Sequence, residues 1–358
     1  MKQTAITTTA ILLLFLAGCV IETSKEDTIK LGAIMSLTGF ASDYGTNSQK
    51  GAQLAVEEIN ANGGINGKQI ELIFEDDRTD GKAAVSGATK LIEIDNVDAI
   101  IGGTWDLSLE PIAPLADQHN IIIINPSTGN TKDTRLAKNV FITWPAIKYQ
   151  VYELEETLTQ ENITTAVVIR NAGAWSQSQE THLEKLLEKI NGSILKLMIG
   201  YEVDNNDFRS EISIAKQLNP DLLYLGLGYN DAANVVQFTQ EQDFHPVIVT
   251  LSGAFEYAIE KGSIKKEHLK KTYIPDVIPN ENTEFYKKFE TRFGKPPGIT
   301  ADTAYKAVML LAEAWEKTGT TNTDEVRDYL NSLDFFDENG DAKKPVPVRK
   351  IESRTYVE

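Results

Sequence analysis

The 358-residue chain holds one cysteine, Cys19, and four histidines scattered singly at His119, His182, His245 and His268. One cysteine cannot close an internal disulfide, and with no histidine or second cysteine at ligand spacing a zinc site is not expected. Basic residues are also scarce, 35 lysines and arginines against 52 acids, for a formal net charge of −17. Affinity for nucleic-acid phosphates comes from clustered basic side chains, so no nucleic-acid partner is expected. Long apolar runs are missing too. The one run near the start, AILLLFLAG at 10–18, is shorter than the roughly 20 residues that span a bilayer.

Catalytic and cofactor patterns are equally sparse. The glycine-rich stretch INANGGINGKQIELIFEDDRTD at 59–80 fails as a phosphate loop, because the pattern needs glycine at Asn62 and a hydroxyl at Gln69, and the chain continues as a strand where a helix is required. Its glycines are read as stopping a helix and turning the chain. The acidic stretches FEDDRTDG at 74–81 and FDENGDA at 336–342 both miss the calcium-loop spacing, and are read as carboxylates capping helices at strand ends. There is no GxSxG elbow, and GLGYND at 226–231 lacks the third glycine of a dinucleotide fingerprint. No enzyme activity, metal or cofactor is therefore expected.

What is present begins with a targeting signal. Lys2, the apolar run and Cys19 in LAGC resemble a bacterial lipobox, so residues 1–18 read as a signal peptide and 19–28 as a lipidated Cys19 with its tether. From Ile29 onward short runs apolar on both faces alternate with amphipathic helices. The pattern predicts parallel sheets covered on both sides. It restarts after VFITWPAIKYQ, giving a second α/β lobe.

The segment IKLGAIMSLTGFASDYGTNSQKGAQLAVEEINANGGINGKQIELIFEDDRTD, together with IIIINPSTG at 121–129, FGKPPGITADTAYKAVMLLAEA at 293–314 and FDENGDA, resembles the type I periplasmic solute-binding proteins of branched-chain amino acid ABC importers, the Leu/Ile/Val-binding family. The resemblance covers nearly all of the mature chain. It implies two doubly wound, Rossmann-like α/β lobes joined by a three-strand hinge, with lobe 1 at 29–143, lobe 2 at 144–274, a return to lobe 1 at 275–336 and a last lobe 2 segment at 337–358. It further implies a monomer that traps a small solute between the lobes and delivers it to ABC permease subunits, outside the cytoplasm and held to the membrane by its lipid. A sensor handing the closed state to a membrane receptor or kinase is the alternative.

By the same resemblance the solute would meet Tyr44, then Thr104, Trp105 and Asp106, then Ser127, Thr128 and Gly129 on the first lobe, with Trp175 and Tyr229 closing from the second. Other readings stay open for some of these. Tyr44 could be a turn residue, Asp106 the cap of the helix that follows it, and Trp175 an aromatic packed on its own lobe. The chain also departs from the family. Asp106 stands where a hydroxyl usually helps to hold the amino-acid carboxylate, the family also places a threonine near Gly129, and no acid lies near Gly253 and Ala254 to meet the ammonium unless Glu256 reaches in. Asp106 would suit an amine or amide nitrogen, so an amino acid or a related small amide, amine or aromatic compound is the expected solute.

Overall fold

The computed structural model describes residues 28–350 apart from 130–131, 133, 201–206, 252–268, 276, 278, 344–345 and 347. The signal peptide, Cys19, the tether up to residue 27, Glu256 and the last eight residues lie outside the described residues. The first lobe alternates β1 (Ile29–Met35), α1 (Ser42–Ala61), β2 (Ile70–Asp76), α2 (Gly81–Glu93), β3 (Ala99–Gly102), α3 (Trp105–Gln118), β4 (Ile122–Asn125) and β5 (Val140–Pro145). The second runs through α4 (Ile147–Tyr152), α5 (Glu155–Gln160), β6 (Thr165–Asn171), α6 (Ala174–Lys189), β7 (Ser193–Gly200), α7 (Arg209–Leu218), β8 (Leu222–Gly226), α8 (Tyr229–Glu241), β9 (Val247–Thr250) and β10 (Thr272–Pro275). Then follow α9 (Glu284–Phe293), α10 (Ala301–Thr318), α11 (Thr323–Ser332), β11 (Asp341–Ala342) and β12 (Val348–Lys350).

Among the described residues two six-stranded sheets result, ordered β11-β5-β4-β3-β1-β2 and β12-β10-β9-β8-β6-β7. Among the described residues these strands pair in parallel except β12 against β10. Both faces of the first sheet are covered: Leu31, Ala33, Ile101 and Ile124 pack with α1, α10 and α11, while Ile34, Ile100 and Ile123 pack with α2 and α3. This double burial explains why these strands read as unbroken apolar runs rather than alternating ones. The glycine-rich turn behaves as expected, with positive φ at Gly63, Gly64 and Gly67 between α1 and β2.

Among the described residues the chain passes between the sheets three times: after Pro145, after Pro275 and between Ala342 and Val348. The last passage comes later than the expected start of the final lobe 2 segment at 337. Phe336 is buried in the first lobe, its ring 5.0 Å from that of Phe141, and the Ile142 N–H donates to the Gly340 carbonyl at 2.8 Å. These contacts hold the chain on β5 through Ala342 before it leaves. α1 starts at Ser42, so Tyr44 sits in its first turn.

Candidate ligand-binding site

In an open parallel sheet the loops at the carboxyl ends of the strands form the ligand crevice. On the first lobe these loops are locked by two buried polar side chains. Asp77, just past β2 and fully buried, accepts the Ser36 hydroxyl, the Thr79 N–H at 2.9 Å and the Thr104 N–H at 3.0 Å. Thr104 in turn accepts the Ser36 N–H at 2.9 Å. One carboxylate thus ties together the ends of β1, β2 and β3. Its neighbours in the same motif serve locally: Asp76 accepts the Leu37 N–H and Thr38 hydroxyl at 2.9 and 2.6 Å, and Asp80 caps α2 through the Ala83 N–H at 2.9 Å. The second lock is Asn125 at the end of β4. Its amide donates to the Gly102 and Gly103 carbonyls and accepts the N–H groups of Ser127 and Thr128, both at 2.9 Å.

Between the locks stands Trp105. Its φ is +58°, a region that bulky residues rarely occupy and that persists only where surroundings over-determine it. Gly102, at φ +126°, leads into this turn; a Cβ there would lie 1.9 Å from the Ile34 carbonyl oxygen. The Trp105 N–H donates to Ser127 Oγ at 3.2 Å. Its indole lies between Phe40 and Tyr44, with ring centroids 5.5 and 5.1 Å away and interplanar angles of 54° and 77°. Such tilted and edge-on geometries avoid the disfavoured face-to-face sandwich. Phe40 is 74% exposed at the outside of this cluster.

The structure therefore joins Tyr44, Thr104, Trp105 and Ser127 into one corner, with Thr128 and Gly129 buried beside it. Gly129 fits tightly against the first crossing, where a Cβ would be 3.1 Å from the Pro145 carbonyl and the Ile147 nitrogen. Asp106 is not the helix cap. Thr104 occupies that position, though its hydroxyl serves Ser36 instead of a capping bond. The half-buried Asp106 carboxylate accepts the Leu107 N–H at 3.0 Å and, with Leu107, Glu110 and Pro111, lines a shallow recess of about 520 Å³. Burial pushes its pKa above the ordinary value; the Leu107 N–H opposes this and nearby Glu110 adds to it.

On the second lobe Trp175 is the second residue of α6, half-buried and packed against that lobe's own core. Tyr229 opens α8 after Gly228, and its side chain lies outside the described residues. Nearby, at the end of β6, the buried Arg170 pairs with Glu180 at 2.5 Å and donates to the Asn171 carbonyl at 2.8 Å.

Sequence reasoning missed Phe40, Asp77 and Asn125. Asp77 was visible only as one acid among several in FEDD, and Asn125 only as the polar end of an apolar strand before proline. Phe40 gave no periodic signal.

The model of the family described as periplasmic binding protein matches residues 28–349. The chain belongs to that family. As a member it is an extracytoplasmic binding protein rather than an enzyme. A relative from Pseudomonas aeruginosa, a leucine-, isoleucine-, valine-, threonine- and alanine-binding protein, is 26% identical over 343 residues, covering 92% of this chain and 91% of its own. Among solved structures, the branched-chain amino acid transporter substrate-binding protein of Streptococcus pneumoniae in complex with isoleucine superimposes with a TM-score of 0.77 at 24% identity, covering 92% of this chain and 97% of its own. An ABC transporter solute-binding protein of Rhodopseudomonas palustris in complex with 3,4-dihydroxybenzoic acid gives 0.74 at 19%, covering 91% and 93%. These structures share the two-lobed fold of this binding protein.

Proposed function

We propose that this chain is the solute-binding lipoprotein of an ABC importer, anchored through Cys19, which captures an amino acid or a related small amide, amine or aromatic solute between its lobes. The observation that carries the reading is the family match over 28–349 on a chain built as two α/β lobes crossed three times. Hinge closure around a ligand is the behaviour for which periplasmic binding proteins are the standard example. A solute that touches both lobes only when they are closed stabilises the closed form by its differential affinity. The permease then has a loaded shape to recognise. Tyr44, Thr104, Trp105, Asp106, Ser127, Thr128 and Gly129 would meet the solute from the first lobe, and Trp175 and Tyr229 from the second. The relatives named for aliphatic amino acids and the relative crystallised with an aromatic acid support a small organic solute.

The test is a thermal-shift screen of the mature chain with amino acids, amides, polyamines and aromatic acids, followed by solution scattering. A ligand held only by the folded form at 100 times its Kd stabilises by about 2.7 kcal/mol. At least one class should raise the melting temperature and shrink the envelope. A tightly held solute that leaves the envelope unchanged overturns the closure mechanism. Labelled fatty acid should enter the wild-type chain in the bacterial cell and not the Cys19→Ser variant.

A further inference from the structure

The groups on the first lobe that would grip a solute carboxylate are engaged within the protein. Ser127 Oγ accepts the Trp105 N–H and donates to the Gly103 carbonyl, both at 3.2 Å. The Ser127 and Thr128 N–H groups go to Asn125, the Thr104 N–H to Asp77, and the Thr128 hydroxyl to the Gly129 carbonyl at 3.2 Å. What the corner retains is of opposite character. Phe40, Tyr44 and Trp105 form a contiguous aromatic cluster, and Asp106, the residue that follows Trp105 in α3, lines a shallow recess with Leu107, Pro111 and Glu110, the last one helical turn away. Glu110 has Lys132 at 3.5 Å. Asp106 has no cationic partner among the described residues.

We propose that this corner takes the charged nitrogen of an organic cation, an alkylated or quaternary ammonium, with the rings of Trp105, Tyr44 and Phe40 against the charge and Asp106 as its counter-ion. The proposal rests on the solute-binding reading above and names the solute class. An alkylated ammonium is weakly hydrated, so aromatic faces replace its water at little loss, and their negative quadrupole attracts the charge. A solute carboxylate placed here would instead meet two acids of like charge. Burial already disfavours ionised Asp106, and a cation beside it reverses that penalty.

The experiment is calorimetric titration of the mature chain with choline and tetramethylammonium. 3,3-Dimethylbutanol serves as the neutral carbon isostere of choline, with leucine and benzoate alongside. Choline should bind at least tenfold tighter than its isostere. Asp106→Asn should weaken choline about tenfold, and Trp105→Phe should keep most of the affinity that Trp105→Leu loses. Because Trp105 is strained and its variants risk misfolding, Phe40→Ala, at an exposed position, is the second probe and should weaken choline severalfold with an unchanged circular dichroism spectrum. Equal binding of choline and the isostere overturns the cation proposal, as does binding of leucine or benzoate without the cations; both outcomes leave the solute-binding function standing. No binding by any of the five also overturns the cation proposal, and the solute-binding reading then stands or falls on the wider thermal-shift screen.

Discussion

Lys148 and Asp337 join the two lobes at the first and third crossings, and removing the lysine is the sharpest test of how the hinge is held. Lys148 lies in the first turn of α4, which packs in the second lobe, and Asp337 follows Phe336 in the first. Their charged groups are 2.6 Å apart, with side chains 20% and 3% exposed. Asp337 also accepts the Tyr149 hydroxyl at 3.1 Å and the N–H groups of Asn339 and Asp341 at 2.9 and 3.1 Å. Deleting one partner of a buried pair typically costs about 3–5 kcal/mol, because the other charge is stranded. In Lys148→Met the hydroxyl and two N–H groups remain on Asp337, so the expected loss is at or just below the lower limit, about 2–3 kcal/mol. At about 2–4 °C per kcal/mol this lowers the melting temperature by about 4–12 °C. Urea denaturation of Lys148→Met, Asp337→Asn and the double variant measures it. The double variant should recover at least half of the Lys148→Met loss, since no charge is then stranded. A single variant within about 0.5 kcal/mol of the parent, or strictly additive losses, would refute the argument.

The pair also sets a pH signature. Burial alone would raise the Asp337 pKa, but the hydrogen bonds from Lys148 and from the Asp341 and Asn339 N–H groups outweigh it and hold the carboxyl below its usual 3.8. Its contribution should be full above pH 4 and lost as pH falls through the lowered folded value. For Lys148 burial pulls the pKa down, yet the bond to Asp337 leaves it above 10.5. That contribution holds below pH 10.5 and fades as pH rises through the folded value; acid and alkaline melts of the parent and of Lys148→Met should differ least at the two extremes. Gly102→Ala should cost about 2–4 kcal/mol, with loss of the near-ultraviolet tryptophan signal, because a Cβ at φ +126° meets the Ile34 backbone oxygen; a normal spectrum would count against a rigid Trp105 turn. Asp77→Ala should destabilise by roughly 3 kcal/mol, leaving the Thr79 and Thr104 N–H groups and the Ser36 hydroxyl without their acceptor. Asp80→Ala, losing only the α2 cap, should cost about 1 kcal/mol. Equal losses at these two acids, read from chemical denaturation, would show that Asp77 is no more than another cap.

Much of this protein was written into local patterns. Runs such as IIIIN at 121–125 are apolar on both faces because β4 is buried on both, and that fact alone announces a parallel α/β lobe. Turn glycines needed positive φ wherever the chain ran, and the resemblance of 29–80 carried the family. The limits came where a residue's role depends on partners far along the chain. Asp77 meets Ser36 and Thr104, 41 and 27 positions away, and Ser48 meets Thr300 across 252; strand order sets these meetings, and no periodicity encodes it. The two residues of β11 are too few to show a period, so the third crossing was expected too early. Trp105 was expected at the crevice from its place before a helix, but its left-handed turn and its packing on Phe40 and Tyr44 exist only once the ends of β1, β3 and β4 have come together. Local side-chain alternation reports which face of an element is buried; only the assembled sheet decides which loops become neighbours.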